Sequence, residues 1–239
     1  MNYKKAVYDS YLSFHNKHLY GAPSLERFNA HKAVNDFYLN PFLPNNKQAA
    51  ILDIGCGDGN LVYWLQQKGY QQAQGVDVSA EQIESGLGLG ITNLFIGDLT
   101  GFLQNKENKY DLIIARDVFE HFTRQDFFEA LIVIKKALSK NGKLVIQVPN
   151  GEGLHYTSIF FGDITHEMAY TMGSLRQLTM AAGFSQVKVF PVNPYPKGIK
   201  GFIRSILWKY KVLLTRFWQT VERGGSSGIF TANLIAQIE

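Results

Sequence analysis

The residues most suited to chemistry begin with a glycine-rich turn that follows an apolar run. The run AAILDIG reads as a buried strand ending near Asp53, and Gly55, Gly57 and Gly59 follow at alternate positions. Glycines spaced in this way allow a tight turn and a close approach of the backbone to a ligand. The next segment is predicted to be helical, so its first N–H groups would stand behind the turn. We interpret Cys56, inside the turn, as a small side chain in a tight place rather than a redox centre.

Carboxylates follow the next three predicted strands. Asp77, 22 residues beyond Gly55, could accept hydrogen bonds from both hydroxyls of a ribose, and Asp98 is placed to accept one from an exocyclic amine. The fourth strand is followed by Asp117, within the run DVFEH. In an open parallel sheet, ligands bind beyond the carboxyl ends of the strands, where the strand order reverses. The four strand ends therefore predict one binding site.

The elements that must position these residues alternate between strand and helix. A helix is clearest at 124–140, where apolar residues recur at helical spacing up to an expected stop at Asn141 and Gly142. Strands that are apolar almost throughout are typical of a parallel sheet covered on both faces. The fold class is therefore doubly wound α/β, with strands predicted at 49–55, 73–78, 93–97, 110–115, 143–149, 185–192 and 229–238.

Composition limits the class of protein further. Of 239 residues, 46% are apolar and 18% are charged, which is a globular composition with room for one domain and attachments. Cys56 is the only cysteine, which excludes an internal disulfide framework and a cysteine-rich zinc module. Neither a signal peptide nor a run of about 18 apolar residues is visible in the sequence. We therefore expect a soluble cytoplasmic protein.

The ordered strand-end residues make the chain similar to a known family. With ILDIGCGDG as first motif and GVDVS as second, the sequence resembles the class I S-adenosylmethionine-dependent methyltransferases over residues 48–192. The resemblance implies a Rossmann-like sheet of seven strands in the order 3-2-1-4-5-7-6, with the last strand antiparallel. It implies S-adenosyl-L-methionine as cofactor and S-adenosyl-L-homocysteine as product. Residues 1–47 would form a helical lid, and 48–239 the methyltransferase domain with an insertion at 193–228.

The same resemblance implies a role for each strand-end residue. Asp77 would take the ribose and Asp98 the adenine amine, while Asp117 would lie near the sulfonium and the acceptor. The implied cofactor-binding residues, from the methionine end to the purine, are Asp53, Gly55, Cys56, Gly57, Asp77, Val78, Asp98 and Leu99, with Asp117 beside them.

A nicotinamide-dependent dehydrogenase is the main competing class, because it also combines a glycine-rich turn with an acid for the ribose. Its fingerprint is G-x-G-x-x-G, whereas this turn runs G-x-G-x-G and has Asn60 at the place of the third glycine. Asp53 would also repel a pyrophosphate, but an acidic turn suits a cofactor that carries an ammonium and a sulfonium. The dehydrogenase interpretation is therefore rejected.

Two histidines are candidates for the general base that a hydroxyl acceptor needs. His121 belongs to Asp117-x-x-Glu120-His121, which is similar to a metal-associated stretch of ubiquinone-pathway O-methyltransferases, although Asp stands here for the first Glu. The alternative is that Glu120 and His121 cap the following helix. His166 lies in the run GDITHE, within about 24 residues without predicted structure, where its alternative role is a loop-anchoring hydrogen bond. We predict His121, His166 and Asp117 as the catalytic residues, and we assign no metal ligand.

The arrangement PN…GDITHE…SL…GF resembles methyltransferases of bacterial surface-glycan and sugar-modifying pathways. The resemblance implies methyl transfer to a hydroxyl of a sugar or glycan intermediate. The alternatives are a quinone- or phenol-type O-methyltransferase with metal assistance, and a non-catalytic partner subunit that binds the cofactor. A nucleic-acid substrate is not expected, because the residues after the fourth strand differ from the signature of amino-directed DNA methyltransferases and no base-reading module is visible.

Charge is concentrated in one segment of the chain. Residues 197–223 hold seven basic residues and one acidic residue, a net charge of +6, while the rest of the chain sums to −2. A helix over 198–222 would place apolar residues on one face between basic edges, which is typical of an interfacial membrane helix. The alternatives are packing on the sheet or on a second copy in a homodimer. A contact with the inner face of the membrane is thus one hypothesis for its location.

Overall fold

The computed structural model describes Val7 and residues 22–239, so the part of the predicted lid that precedes Ala22, apart from Val7, lies outside the described residues. The strands are β1 (Ile51–Ile54), β2 (Gln74–Asp77), β3 (Leu94–Ile96), β4 (Tyr110–Arg116), β5 (Leu138–Pro149), β6 (Val187–Pro191) and β7 (Asn233–Ile238). The described helices are α1 (Leu25–Leu39), α2 (Asn60–Gln67), α3 (Ala80–Gly88), α4 (Leu99–Leu103), α5 (Arg124–Ala137), α6 (Tyr156–Phe160), α7 (Met172–Ala181) and α8 (Gly198–Arg223). Short 3-10 turns lie at Asn40–Phe42 and Phe119–His121.

The seven strands form one sheet in the order β3-β2-β1-β4-β5-β7-β6. Strands β1 to β5 pair in parallel, and β7 runs antiparallel to both of its neighbours, β5 and β6. Because β1 lies between β2 and β4, the strand order reverses beside β1, which is where a ligand site is expected. The predicted fold class and strand order are confirmed.

The sheet is covered on both faces by separate apolar layers. Alternate residues of β1 and β4 point to opposite faces, so that Leu52 and Ile113 join one layer while Ile51 and Leu112 join the other. Helices α4, α5 and α7 complete the first layer, and α1, α2 and α3 complete the second. Burying one side chain of Leu or Phe size contributes about 1.5–3 kcal/mol, so these two layers hold the sheet in place.

Helix α1 joins the second layer through identifiable contacts. It begins at Leu25 because the Ser24 hydroxyl accepts a hydrogen bond from the Arg27 N–H at 3.2 Å. The indole N–H of Trp64 in α2 donates to the Asp36 carboxylate at 3.1 Å. The hydrogen bond between Trp64 and Asp36 holds α1 against α2, beside the carboxyl ends of the strands.

Two predictions about the region around α5 are wrong. The helix ends at Ala137 and not at 140, because Leu138 already has extended backbone angles and pairs with Tyr110 as the start of β5. The predicted stop at Asn141 and Gly142 therefore lies inside a strand. At its other end α5 is capped by Thr123 in a capping box, so the alternative that the residues at 120 and 121 cap it is also wrong.

Two further boundaries differ from those predicted. The segment after β5 contains α6 and a bridge between Asn150 and Tyr170, so it is not devoid of structure. The last strand begins at Asn233 and not at 229, since the preceding residues form bends. Among the described residues no helix has the length and apolar character that a bilayer span requires.

Two glycines of α3, Gly86 and Gly88, test how tightly the second apolar layer is packed. A Cβ on Gly86 would lie 2.5 Å from the backbone oxygen of Asp58 and 2.6 Å from Leu94 Cδ1, whereas a Cβ on Gly88 would have no atom within 4 Å. We expect Gly86→Ala to lower the free energy of unfolding by about 1–3 kcal/mol because the site is overpacked. Gly88→Ala, the matched control, should leave it unchanged or raise it by up to about 1 kcal/mol. Urea denaturation measures both, and equal effects would contradict this packing.

Candidate active site

A cavity of about 810 Å³ opens at the carboxyl ends of β1, β2 and β4. Residues of the turn after β1 and of the segments after β2 and β4 line it, and α1 contributes a further wall. The structure brings together these predicted site residues in its lining: Asp53, Gly55, Cys56, Gly57, Asp77, Val78, Leu99, Asp117 and His121. Asp98 and His166 are not among the lining residues.

The glycine-rich turn is shaped by backbone conformations that favour glycine. Gly55 and Gly57 both have positive φ angles, of 67° and 55°. A Cβ on Gly55 would collide with the side chain of Val118, and one on Gly57 would lie 2.9 Å from Gln82 Oε1. The N–H groups of Gly55 and Cys56 donate to the carbonyl of Val76 at 2.8 and 3.2 Å, which fixes the turn against β2. Backbone atoms therefore form this part of the cavity surface.

Asp77, at the end of β2, ties the turn to the following helix. One carboxylate oxygen accepts the N–H of Gly57 and the other accepts the N–H of Ser79, both at 2.8 Å. Burial raises the pKa of Asp77, while the hydrogen bonds from Ser79 and Gly57 favour its charged form. Each oxygen keeps a second lone pair, so the carboxylate can accept further hydrogen bonds.

Asp53 is a buried acid at the end of β1, with 3% of its surface exposed. Burial raises its pKa to about 7; Arg116 opposes this shift and the charge of Asp77 adds to it. A cation bound in the cavity would stabilise the ionised form and lower this pKa again. The site is therefore suited to a ligand that carries positive charge.

Asp117 is held in an unusual backbone conformation at the end of β4. Its φ is 58°, a region that few residues other than glycine adopt and that is often associated with functional sites. The side-chain amide of Gln147 donates to both carboxylate oxygens, at 3.0 and 3.1 Å. The carboxylate is thus fixed in orientation in the cavity wall.

His121 is oriented by a chain of hydrogen bonds that starts at Asp163. The hydroxyl of Thr165 donates to Asp163 Oδ1 at 2.6 Å and lies 2.8 Å from His121 Nδ1. Because the hydroxyl has one proton and gives it to Asp163, it accepts from the Nδ1–H of His121. A neutral His121 therefore carries its lone pair on Nε2. We call this chain of Asp163, Thr165 and His121 the histidine relay.

Glu120, His121 and His166 form a compact cluster, and of these three only His121 lines the cavity. One ligand atom from each of Glu120, His121 and His166 lies within 4.8 Å of the others. Glu120 is 1% exposed, and its Oε2 has no hydrogen-bond partner among the described residues. Burial, followed by the charge of Asp117, raises its pKa well above the usual range. This donor set of one carboxylate and two imidazoles has the chemistry to hold a divalent cation.

Three of the predicted site residues make structural contacts, and of these only the cap formed by Asp98 was not anticipated from the sequence. Asp98 caps α4, its Oδ1 accepting the N–H of Gly101 at 2.8 Å. His166 has its Nδ1 3.0 Å from the carbonyl of Phe160, which fits the anchoring alternative, and its ring centroid lies 4.8 Å from that of His121. Burial raises the pKa of the Cys56 thiol, so this cysteine stays a neutral, small side chain.

The wall formed by α1 was not predicted in detail. Arg27 pairs with Asp58, and Asn35 accepts a hydrogen bond from Arg116 at 2.9 Å. His31 and Tyr38 also line the cavity. The polar residues of α1 follow no clear sequence pattern. For the hydrogen bond between Thr165 and Asp163, the only signal in the sequence is the run GDITHE, which contains both residues.

Comparison with known proteins places the chain in a family. The methyltransferase domain family matches residues 26–189, more than half of the chain, and the chain belongs to this family. No curated protein matches the chain in sequence.

Solved structures match the fold over nearly the whole chain. A SAM-dependent methyltransferase from Archaeoglobus fulgidus has a TM-score of 0.67 and 20% identity, with 96% of this chain and 99% of that chain covered. A chain from the complex between the Haloferax volcanii Trm112 methyltransferase activator and the putative methyltransferase has a TM-score of 0.64 and 14% identity, with 97% of this chain and 96% of that chain covered. Phosphoethanolamine N-methyltransferase 2 of Haemonchus contortus, solved with phosphomonomethylethanolamine and S-adenosylhomocysteine, has a TM-score of 0.61 and 15% identity, covering 97% and 59%.

Family and fold together identify a class I S-adenosylmethionine-dependent methyltransferase. This confirms the class and the cofactor predicted from the sequence, with S-adenosylhomocysteine as the product. The identities to the solved structures are low, so those matches describe the fold and leave the acceptor open.

The raised pKa of Asp53 predicts how the stability of the folded protein depends on pH. Because its folded pKa of about 7 lies above the ordinary value of 3.8, the protonated form stabilises the fold at low pH, and this contribution is lost as the pH rises through 7. We compare the free energies of unfolding of Asp53→Asn and the wild type. As the pH rises from about 5 to about 8, we expect this difference to change by about 2–3 kcal/mol in favour of Asp53→Asn, at about 1.4 kcal/mol per pKa unit. Urea denaturation of both ligand-free proteins across this range measures the difference, and a pH-independent difference would contradict it.

Proposed function

We propose that the protein transfers a methyl group from S-adenosyl-L-methionine to a hydroxyl of a sugar or glycan intermediate. The observation that supports this proposal is the histidine relay: with Nδ1–H bonded to Thr165, a neutral His121 would use Nε2 as the proton acceptor, and His121 lines the cavity. A hydroxyl acceptor must lose its proton during transfer, and a positioned base contributes about 10²–10⁴-fold to the rate. A neutral amine acceptor has no such need, so the relay favours oxygen as the attacking atom.

The cofactor fits the chemistry of the cavity. S-adenosylmethionine supplies a methyl group on a sulfonium and also carries an ammonium, and the buried Asp53 suits that positive charge. Asp77 has a lone pair left on each oxygen for a ribose hydroxyl, and Val78 and Leu99 would flank the purine. Asp98 does not line the cavity, but its neighbours Gly97 and Leu99 do, and its oxygen that does not cap α4 would take the adenine amine.

The chain's own residues would align the acceptor and move its proton. Asp117, fixed by Gln147, would orient the acceptor hydroxyl beside His121. Nε2 of His121 would accept the hydroxyl proton while Nδ1–H stays bonded to Thr165, whose hydroxyl stays bonded to Asp163. Thr165 is thus a positioning residue that selects the tautomer of the base. Alignment and exclusion of water supply the remainder of the acceleration.

The wall formed by α1 supports a sugar as the acceptor. Arg27, His31, Asn35 and Tyr38 place donors, acceptors and one aromatic ring along the cavity. Sugar hydroxyls need such hydrogen-bond partners, and aromatic faces pack well on sugar rings. A quinone-type acceptor would instead be matched by an apolar wall. These polar groups of α1 would suit a polar acceptor, in line with the resemblance to sugar-modifying methyltransferases.

A metal-assisted O-methyltransferase is the second candidate, favoured by the cluster of Glu120, His121 and His166. A divalent cation there would bind the acceptor oxygen and lower its pKa, so that His121 would act as a ligand and not as a base. A third candidate is a partner subunit that binds the cofactor without turnover; the similar structure from Haloferax volcanii joins a methyltransferase activator to a putative methyltransferase, so proteins of this fold can act with a second chain.

Cofactor binding tests the first part of the proposal. We expect calorimetric titration to show binding of S-adenosylmethionine and S-adenosylhomocysteine, and Asp77→Ala to weaken both more than tenfold, since hydrogen bonds to a charged group are worth about 1.5–3 kcal/mol. Asp111→Ala is the matched control. This carboxylate also accepts a backbone N–H, from Ala50 at 3.0 Å, but it lies near the amino end of β4, away from the cavity. No binding by folded wild-type protein would contradict the proposal.

Turnover with a panel of sugar acceptors tests the second part. We expect His121→Gln to lower kcat by about 10²–10⁴-fold while leaving the affinity for S-adenosylhomocysteine unchanged. Thr165→Val should lower kcat and displace the pH profile, because the tautomer of His121 is no longer selected, and Thr165→Ser should restore both. The exposed His155, replaced by Gln, is the control.

The same assay separates the three candidates. Turnover that survives extensive chelation supports the base mechanism, and turnover that is lost on chelation and restored by a divalent cation favours the metal-assisted enzyme. Full activity of His121→Gln would contradict both roles of this residue. Cofactor binding without turnover on any acceptor, relieved by an added protein, would favour the partner subunit.

A further inference from the structure

Helix α8 turns a continuous apolar surface toward solvent. The side chains of this surface, which we call the apolar face of α8, are all large and are 41% to 80% exposed: Ile199, Phe202, Ile203, Ile206, Leu207, Tyr210, Leu213, Leu214, Phe217, Trp218 and Val221. At about 100° per residue they fall within one arc of about 160°. Exposed apolar patches this large are rare on monomeric soluble proteins and mark interaction sites.

The opposite side of α8 is the buried one. Gly201 is buried there, and Ser205, Trp208, Val212, Thr215 and Gln219 are half-buried. The indole nitrogen of Trp208 and the amide oxygen of Gln219 are both shielded from solvent. A helix at the surface of a soluble protein normally buries its more apolar face. In α8 the less apolar side is the buried one, so its apolar face is directed away from the rest of the described residues.

Basic residues border the apolar face on both sides. Lys200, Arg204 and Lys211 follow one edge, and Lys209, Arg216 and Arg223 follow the other; Glu222 is the only acid in α8. Long basic side chains can lie along an apolar surface while their charged ends remain in water. The aromatic residues of the face belong to the types that collect at membrane–water interfaces.

We propose that α8 docks the protein on an anionic lipid bilayer, lying in the plane of the interface with its apolar face inserted between the headgroups. The helix extends over about 39 Å, long enough to hold the protein along the surface. The charge pattern distinguishes a bilayer from the other two surfaces that could cover the apolar face of α8, a second copy of the chain and its own first residues. An anionic headgroup layer complements both basic edges, and each Lys or Arg near such a surface contributes about 1 kcal/mol.

Neither a second copy of the chain nor its own first residues match this charge pattern. Two α8 helices packed through their apolar faces would bring four basic edges together, with one acid from each copy to balance them. Residues 1–21 contain three lysines and one acid, Asp9, so this segment is also basic. The membrane contact is independent of the proposed acceptor and of the catalytic residues.

Co-sedimentation with vesicles tests the proposal on the full-length protein. We expect the protein to sediment with vesicles of phosphatidylcholine and phosphatidylglycerol, to remain in solution with phosphatidylcholine alone, and to be released by high salt, because salt screens the headgroup charge. The fluorescence of Trp218, 65% exposed in the free protein, should shift to shorter wavelength on binding, and Trp218→Phe should remove most of that shift.

Two pairs of substitutions locate the contact, and each has a control pair elsewhere in the chain. Leu213→Glu with Phe217→Glu should abolish sedimentation, because two carboxylates would enter the apolar layer. The control pair, Leu87→Glu with Met180→Glu, adds the same charge at exposed positions outside α8 and should sediment like the wild type. Lys209→Gln with Arg216→Gln should weaken binding about thirty-fold, whereas Lys136→Gln with Lys140→Gln, on α5 and β5, should weaken it little.

The outcomes decide the proposal. Failure of the wild-type protein to bind anionic vesicles, or binding that the Leu213 and Phe217 pair does not reduce, overturns it. A concentration-dependent dimer that this pair abolishes, without vesicle binding, overturns it in favour of a second copy. Circular dichroism and unchanged affinity for S-adenosylhomocysteine show that the variants are folded, so these results do not depend on the acceptor.

Discussion

The reversal of strand order beside β1 is the constraint on which the rest of the site depends. Both faces of the sheet are covered by apolar layers, so the central strands can present polar groups to a ligand at their ends, where the backbone leaves the sheet. The chain goes from β1 to β2 on one side and later to β4 on the other, and the segments that leave these strands diverge. Asp53, Asp77 and Asp117 are brought to one cavity by this divergence, although up to 64 residues separate them along the chain.

The cavity concentrates carboxylates where their ionisation is costly. Burial raises the pKa of Asp53, of Asp77 and of Glu120, and the neighbouring acids reinforce the shift at Asp53 and Glu120. A buried charge destabilises a fold unless it is paired, so such groups in an otherwise apolar sheet are typical of a functional site. Backbone N–H groups offset part of this cost at Asp77. At Asp53 part of the compensation comes from Arg116 and the remainder would come from the ligand, which couples cofactor binding to the charge state of Asp53.

Much of this arrangement could be predicted from the sequence, because it depends on local rules. Alternation of strands with helices indicates a parallel sheet, and the carboxyl end of a strand is known once the strand is recognised. The sequence therefore predicts that Asp53 and Asp77 lie at neighbouring strand ends, and in the structure both line the cavity. The end of α5 at Ala137 was not predictable in this way, since pairing of Leu138 with Tyr110 overrides the turn signal of Asn141 and Gly142. The histidine relay joins residues that are 44 positions apart and depends on how the segment after β5 folds back. Helical spacing defined both faces of α8 but contains no information about which face would be buried.

The segment between β6 and α8 connects the cavity to the membrane contact proposed for α8. Val192 lines the cavity, the hydroxyl of Tyr38 donates to the carbonyl of Asn193, and the ring of Tyr195 packs on Phe37 at 5.2 Å. Helix α8 begins a few residues later, so the wall formed by α1 and the start of α8 belong to one packed unit. A bilayer contact at α8 would therefore hold this polar wall close to the headgroup layer. An acceptor whose sugar is carried on a lipid would be presented at the same place, whereas a freely soluble acceptor would leave the outward apolar face of α8 without a function.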